Sequence, residues 1–307
     1  RGKPIYETVL ALQKFADIEV FCPTRMYPPL LNPRSYRHGR RHADRSYRPP
    51  GIERVEYIEY NVFPLITRPW NGYLCERQIY PRLAASRSSA VLSFWVYPDG
   101  YAAVQAGHRL GKPVIVSARG SDVLRIRDPF TGRFVRATLR SADSVITVSE
   151  ELRERAIELG APPERTSTIS NGIDKTIFHY QPRDEARRNL GFAGDGRIIF
   201  FVGWLSPTKG LAELLEAFQA LAKQDAGLHL VCAGEGAFRS SMVEFAARNG
   251  LDQRMRLLGG CSSGTVAMWM NAADVFCLPS HSEGCPNVVV EATACGCPVV
   301  ATAVGGT

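Results

Sequence analysis

Two carboxylates, Glu283 and Glu291, frame the segment of this 307-residue chain whose residue types are best suited to chemistry: Pro279-Ser280-His281-Ser282-Glu283-Gly284-Cys285-Pro286-Asn287-Val288-Val289-Val290-Glu291. Gly284 permits a tight turn, and Pro286 suits the first turn of a helix. The helix start leaves backbone N–H groups free near Asn287 and Val288, and such groups, with the helix dipole, bind anions. A diphosphate fits there. Glu283 stands just before the helix and Glu291 about one turn, roughly 6 Å, inside it. Carboxylates accept hydrogen bonds from sugar hydroxyls, so one can hold a hexose and the other a ribose on either side of the diphosphate. Taken alone, the pair also reads as a helix-terminal charge and a surface residue.

A second constellation lies upstream, at Phe200-Phe201-Val202-Gly203-Trp204-Leu205-Ser206-Pro207-Thr208-Lys209-Gly210. It reads as a strand, a glycine turn at Gly203 that lets backbone approach a ligand, and a helix preceded by a lysine able to contact phosphate. Ala233-Gly234-Glu235-Gly236 is a glycine-rich loop after another strand, which by itself is also an ordinary tight turn.

These motifs need a scaffold that places loops side by side. Short β-branched runs alternate with stretches of helical period, the pattern of parallel sheets covered by helices, so the chain reads as α/β. The strands expected in the first half are 18–24, 55–63, 90–96, 113–118, 144–148 and 166–170, with helices over 5–15, 72–86, 101–110, 131–141 and 150–159. The second half reads as strands 197–202, 228–233, 255–258, 274–278 and 298–301, with helices over 211–223, 237–249, 264–271 and 287–294. Each half is expected to form a doubly wound sheet, and ligands of such sheets bind beyond the C-terminal strand ends. Length favours two domains. The turn Asn171-Gly172 and the glycines at 191, 194 and 196 mark the boundary region, and the division is set at 1–178 and 179–307.

Glu283, seven residues, Glu291, then Ala294-Cys295-Gly296-Cys297-Pro298-Val299-Val300-Ala301-Thr302, resembles the Glu-x7-Glu signature of retaining glycosyltransferases of the GT-B fold, specifically family 4 (group 1). The resemblance implies a fold of two Rossmann-like domains facing across a cleft, the first binding the acceptor and the second a nucleotide-sugar donor. It implies a donor diphosphate site at Gly203 and Lys209, and adds Gly234, Glu235, Gly284, Asn287, Val288 and Glu291 to the donor-binding set. Glu283 would hold donor sugar hydroxyls and Glu291 the ribose. In the first half, Ser117-Ala118-Arg119-Gly120-Ser121-Asp122 is similar to the family's His-Gly-x-Asp motif, with Arg119 at the histidine position and Asp122 beside it. Members usually carry Arg where this chain has Trp204; Arg119 can stabilise charge on a leaving phosphate and so offset that change. Val96-Tyr97-Pro98-Asp99-Gly100 resembles the branch similar to teichuronic-acid biosynthesis transferases.

Both ends are expected to be cut relative to the family pattern. The implied reaction is sugar transfer, with retention, from a nucleoside diphosphate sugar to a hydroxyl of a glycan or lipid-linked acceptor in cell-surface polysaccharide synthesis. No cofactor or metal is expected, the nucleotide sugar being a co-substrate. Two readings stay open beside it: a nucleotide-sugar epimerase of the same fold, and a degenerate nucleotide-sugar binder. A dinucleotide-dependent oxidoreductase lacks its Gly-x-Gly-x-x-Gly after a first strand.

Charge is unevenly shared. Residues 1–178 hold 27 Lys and Arg against 18 Asp and Glu, whereas residues 179–307 hold 10 against 12. The densest patch, within residues 34–48, joins six arginines to His38, His42, Tyr36 and Tyr47, and suits anionic lipid head groups or a phosphorylated acceptor. No nucleic-acid module accompanies it. The chain has no apolar run of membrane-spanning length, and its eight cysteines form no Cys-x-x-Cys pair. A cytoplasmic protein, peripheral to the membrane at most, is expected.

Overall fold

The computed structural model describes residues 3–26, 47–62, 68–124, 126, 128–192 and 196–307. The chain divides into two compact units, Arg1–Ser170 and Asn171–Thr307. The division falls before the 178/179 boundary expected from sequence, because Phe178 is buried in the core of the second unit. The arginine-rich patch lies outside the described residues except for the exposed Tyr47 and Arg48.

In the first unit, α1 (Lys3–Leu12) precedes β1 (Val20–Met26), which pairs in parallel with β2 (Val55–Asn61) from Val20 opposite Val55 to Met26 opposite Asn61. A 3-10 turn (Arg68–Trp70) leads into α2 (Asn71–Ala85), whose Cys75, Ile79 and Leu83 recur every four residues and so lie on one face. That face packs on Ile58, Tyr60 and Val62 around β2 and on Ala102 and Ala106 of α3 (Tyr101–Arg109). A parallel sheet follows in the order β3 (Val91–Phe94), β4 (Val114–Ala118), β5 (Ser144–Thr147) and β6 (Thr166–Thr168). Its connections carry α4 (Ser121–Leu124), α5 (Pro129–Ser141) and α6 (Glu150–Glu158). Capping fixes where two of these helices start: Asp128 accepts from Thr131 N ahead of Pro129, and Ser149 accepts from Leu152 N.

In the second unit, α7 (Arg183–Asn189) precedes β7 (Arg197–Val202). Then come α8 (Leu211–Ala222), β8 (Leu228–Ala233), α9 (Arg239–Arg248), β9 (Met255–Gly259), α10 (Ser263–Ala272), β10 (Val275–Leu278), α11 (Asn287–Ala294) and β11 (Val299–Ala301). All strand pairs are parallel, and the spatial order is β11-β10-β7-β8-β9. Ile198, Ile199, Phe200 and Phe201 of β7 are buried in succession, the mark of a central strand covered on both faces. Phe200 lies near-parallel to Trp269 of α10 with ring centres 6.2 Å apart, and α8 contributes Leu211, Leu214, Leu215 and Phe218. The chain winds outward from β7 to β9, then returns to β10 on the other side of β7. That reversal makes the β7/β10 junction the topological switch point, where doubly wound sheets take their ligands.

No helix among the described residues is long and apolar enough to cross a membrane.

Candidate functional site

The loops leaving β7 and β10 at their C-terminal ends meet at this switch point. After β7 the chain turns through Gly203 into a 3-10 turn, Pro207–Lys209, and enters α8 through Gly210 in the left-handed conformation (φ 65°). A Cβ on Gly210 would stand 1.8 Å from the carbonyl oxygen of Pro279, so glycine is required both by dihedral and by the approach of the β10 loop. The amide of His281 donates to Thr208 O at 3.0 Å, and its ring nitrogen Nε2 lies 2.8 Å from Glu213 Oε1. Two loops separated by some seventy positions in sequence are thereby fixed to each other.

Their closest side-chain contact is an ion pair. Lys209 Nζ donates to Glu283 Oε1 at 2.5 Å, and both side chains are largely shielded from solvent, 23% and 12% exposed. At such burial the pair is screened far less than a surface one, and losing one partner would strand the other's charge. Beside it, α11 begins at Asn287 after Pro286, with no side-chain cap. Among the described residues the amides of Asn287 and Val288 have no acceptor, while Val289 N turns back to Pro286 O at 3.0 Å. The first turn therefore presents open donors and positive dipole next to a lysine, an arrangement that binds oxyanions. The side chain of Asn287 is held by Asn171, whose Nδ2 donates to Oδ1 at 2.8 Å. Glu291 sits one turn along α11, half-buried, and its charge raises the pKa of the Cys295 thiol, which burial has already pushed up, to about 11.

The glycine-rich loops form a floor at the same sheet edge. Gly234 (φ 137°) brings its α-carbon so near Gly203 that a Cβ would stand 1.9 Å from Gly203 O. Glu235 O accepts from Leu205 N at 2.8 Å, and the Glu235 carboxylate accepts from Gly260 N at 3.1 Å. The loop after β11 closes the remaining side: Gly306 N donates to Gly284 O at 2.9 Å, and a Cβ on Gly305 would stand 2.0 Å from Glu283 O. Thus the structure groups Gly203, Lys209, Gly234, Glu235, Glu283, Gly284, Asn287 and Val288 along one edge of the second unit's sheet.

Residues 182–307 match the family described as Glycosyl transferases group 1, and residues 5–176, more than half of the chain, match Glycosyltransferase Family 4. The chain belongs to glycosyltransferase family 4. Among its relatives, a D-inositol 3-phosphate glycosyltransferase of Thermomonospora curvata is 36% identical over 183 residues, 54% of this chain and 42% of that protein. The proposed teichuronic acid biosynthesis glycosyltransferase TuaC of Bacillus subtilis is 30% identical over 233 residues, 75% of this chain and 55% of that one. The chain thus spans about half the length of the curated relatives it matches. Anabaena Alr3699/HepE, solved with UDP, superposes with a TM-score of 0.67 over 82% of this chain and 68% of its own, at 24% identity. The sucrose-phosphate synthase of Thermosynechococcus elongatus reaches 0.74 over 100% of this chain and 77% of its own, at 22% identity. These likenesses establish the GT-B fold for this family 4 chain.

The other sequence-derived residues lie in the first unit, after β4. Asp122, expected in a catalytic position, spends its carboxylate on the backbone: Oδ2 accepts from Val96 N at 2.9 Å, and Oδ1 accepts from Gly120 N at 2.9 Å and Arg119 N at 3.2 Å. Burial raises its pKa against the opposing pull of those amides. This geometry ties the β4 loop to the turn after β3. Arg119 is half-buried, with its guanidinium carbon 5.8 Å from the centre of the Phe94 ring.

Sequence reasoning missed Asp99. It stands in the turn Val96–Gly100 after β3 and lines a cavity of about 370 Å³ with Arg25, Asn71, Trp95, Tyr97 and Asp122 among others. Burial, with a smaller push from Asp122 and against the pull of Arg25, raises its pKa to about 6. A carboxylate directly after a strand, at the end where ligands bind, was the available signal. Among the described residues no three His, Cys, Asp or Glu side chains are placed to hold a metal ion, and the eight cysteines are free thiols.

Proposed function

We propose that this family 4 member transfers a sugar, with retention of anomeric configuration, from a nucleoside diphosphate sugar to a hydroxyl of a glycan or lipid-linked acceptor. The observation that carries the reading is the Lys209–Glu283 pair beside the uncapped start of α11. It offers a cation and open amides for a diphosphate, with a carboxylate adjoining them for sugar hydroxyls. HepE, of like fold, was solved with UDP and with UDP-glucose, and TuaC is named for teichuronic acid biosynthesis; the first supports the donor class and the second a glycan acceptor.

In this reading, Lys209 and the amides of Asn287 and Val288 stabilise the departing diphosphate electrostatically. Glu283 orients the donor sugar, Glu291 the ribose, and Gly203, Gly234, Glu235 and Gly284 let backbone approach the nucleotide. The acceptor hydroxyl oxygen bonds to the anomeric carbon, the bond from that carbon to the phosphate oxygen breaks, and the departing phosphate oxygen takes the acceptor's proton. Attack occurs on the face the phosphate leaves, which preserves configuration without a protein nucleophile. Arg119 adds positive charge for the departing phosphate, and Asp122 acts on Arg119 and Gly120 as a positioning residue.

The test is release of nucleoside diphosphate from a panel of nucleotide sugars by the intact protein, with Glu283→Ala as control and with chelator present. Release at least tenfold faster in the wild type than in the variant is expected. Equal release would overturn the reading.

A further inference from the structure

The cavity beside Asp99 has unused polar capacity and an apolar rim. Its volume, about 370 Å³, suffices for a small head group, and it opens near the C-terminal ends of β1, β3 and β4. Asp122 has committed its oxygens to backbone amides, whereas the Asp99 carboxylate has no hydrogen-bond donor among the described residues. An ionised carboxylate in such a place accepts from hydroxyl groups. Arg25 supplies a cation on the same lining, suited to a phosphate.

The rim is of the opposite character. Trp70 is 56% exposed and Phe130 68%. Trp70 adjoins the lining residue Asn71, and Phe130 adjoins the lining residue Thr131. The 3-10 turn that carries Trp70 packs against α5, whose second residue is Phe130. Tyr97 bridges the two: its hydroxyl donates to Pro69 O at 2.6 Å and accepts from Gly72 N at 3.1 Å, while its ring stacks on Phe134 of α5 at 5.8 Å. Large aromatics left in solvent around a polar cavity mark a surface built to meet something apolar. Charge complements them, since α5 carries Arg133, Arg136 and Arg140 and no acidic residue.

We propose that the cavity receives the hydroxylated, anionic head group of a lipid, whose apolar chain leaves over Trp70 and Phe130. This makes the acceptor an amphiphile, and that word alone rests on the transfer reading above; the lipid site stands on its own observations. Asp99 takes the hydroxyls, Arg25 the phosphate, and the aromatic rim the first methylenes of the chain.

The test uses the intact protein and vesicles of phosphatidylcholine with or without phosphatidylglycerol, which joins a hydroxylated head group to a phosphate and acyl chains, and soluble glycerol 3-phosphate as the chain-free probe. The wild type should sediment with phosphatidylglycerol vesicles at least tenfold more strongly than with phosphatidylcholine alone. Trp70→Ser with Phe130→Ser should cut vesicle binding roughly tenfold or more, the scale of two lost aromatic anchors, and leave glycerol 3-phosphate binding within twofold. Asp99→Asn should weaken both probes at least fivefold. Diffuse attraction between arginines and an anionic surface predicts the reverse, because removing a carboxylate strengthens it. Unchanged or tighter binding by Asp99→Asn, or full vesicle binding by the rim variant, would overturn the proposal. Titration with UDP is read in parallel on every protein. Slow exchange of the β3 and β4 amides shows that the first unit of each variant is folded, and absence of UDP binding in the wild type would count against the donor reading while leaving the lipid result to stand or fall by itself.

Discussion

Replacing Asp99 by Asn should change how stability depends on pH, and the structure gives both sign and size. The carboxyl titrates near 3.8 when solvated and at about 6 in the fold, mainly because burial disfavours its charged form. Between those values the folded chain binds the proton more tightly than the unfolded chain, so stability falls as pH rises. The contribution is fully present below about 3.8 and is lost as pH climbs through about 6. A shift of about two units corresponds to roughly 3 kcal/mol at most, and water entering the cavity should reduce it to about 1–2 kcal/mol. Asn keeps the shape and cannot ionise. At pH 7.5 the variant should therefore be more stable than the wild type by that amount, and the gap should close by pH 4. Asp122, also raised by burial, is present in both proteins. Urea unfolding at steps between pH 4 and 7.5 measures the gap, followed by a probe confined to the first unit such as exchange of the β3 and β4 amides. A gap that stays constant across this range, or a less stable variant at pH 7.5, would refute the assignment of that titration to Asp99.

The ion pair and the glycines make two further predictions. Lys209→Met should weaken UDP binding more than tenfold, whereas Glu283→Gln frees the lysine and should leave UDP binding equal or tighter while slowing sugar transfer; calorimetry and turnover together read the split. Gly210→Ala should cost the second unit about 3 kcal/mol or more, because it adds a 1.8 Å clash with Pro279 O to the strain of its dihedral. Gly111→Ala, with a similar dihedral (φ 67°) and nothing within 4 Å, should cost the first unit only about 1 kcal/mol by thermal unfolding.

The sheets were legible because their cause is local. Ile198 to Val202 is an unbroken apolar run between Arg197 and Gly203, and such a run admits few readings other than a buried strand. Lys209 and Glu283 were each legible as residues beside a helix start, but their contact was not, since it depends on β10 returning to the far side of β7. The domain limit slipped because Asn171-Gly172 and the later glycines offer several turns, and only the burial of Phe178 decides among them. Asp122 was legible as a residue of interest in a recognised motif, while its three amide partners come from a loop conformation that spacing does not encode. Asp99 went unread because what distinguishes it is desolvation, which no neighbour in sequence reveals.

The bracing of the Glu283 loop has a consequence for recombination. Its partners are Asn171 at one end of the unit, Thr208 to Gly210 near the middle, and Gly305 and Gly306 at the other end. A chimera joined at 170/171 inherits all of them from one parent and should keep its nucleotide preference intact. A join at 178/179 already separates Asn171 from Asn287, and one anywhere from 211 to 278 sets the Lys209 loop of one parent against the Glu283 loop of another. On the proposed reading, the residues that would hold the donor therefore travel together from 171 to 306, and a join within that stretch divides them.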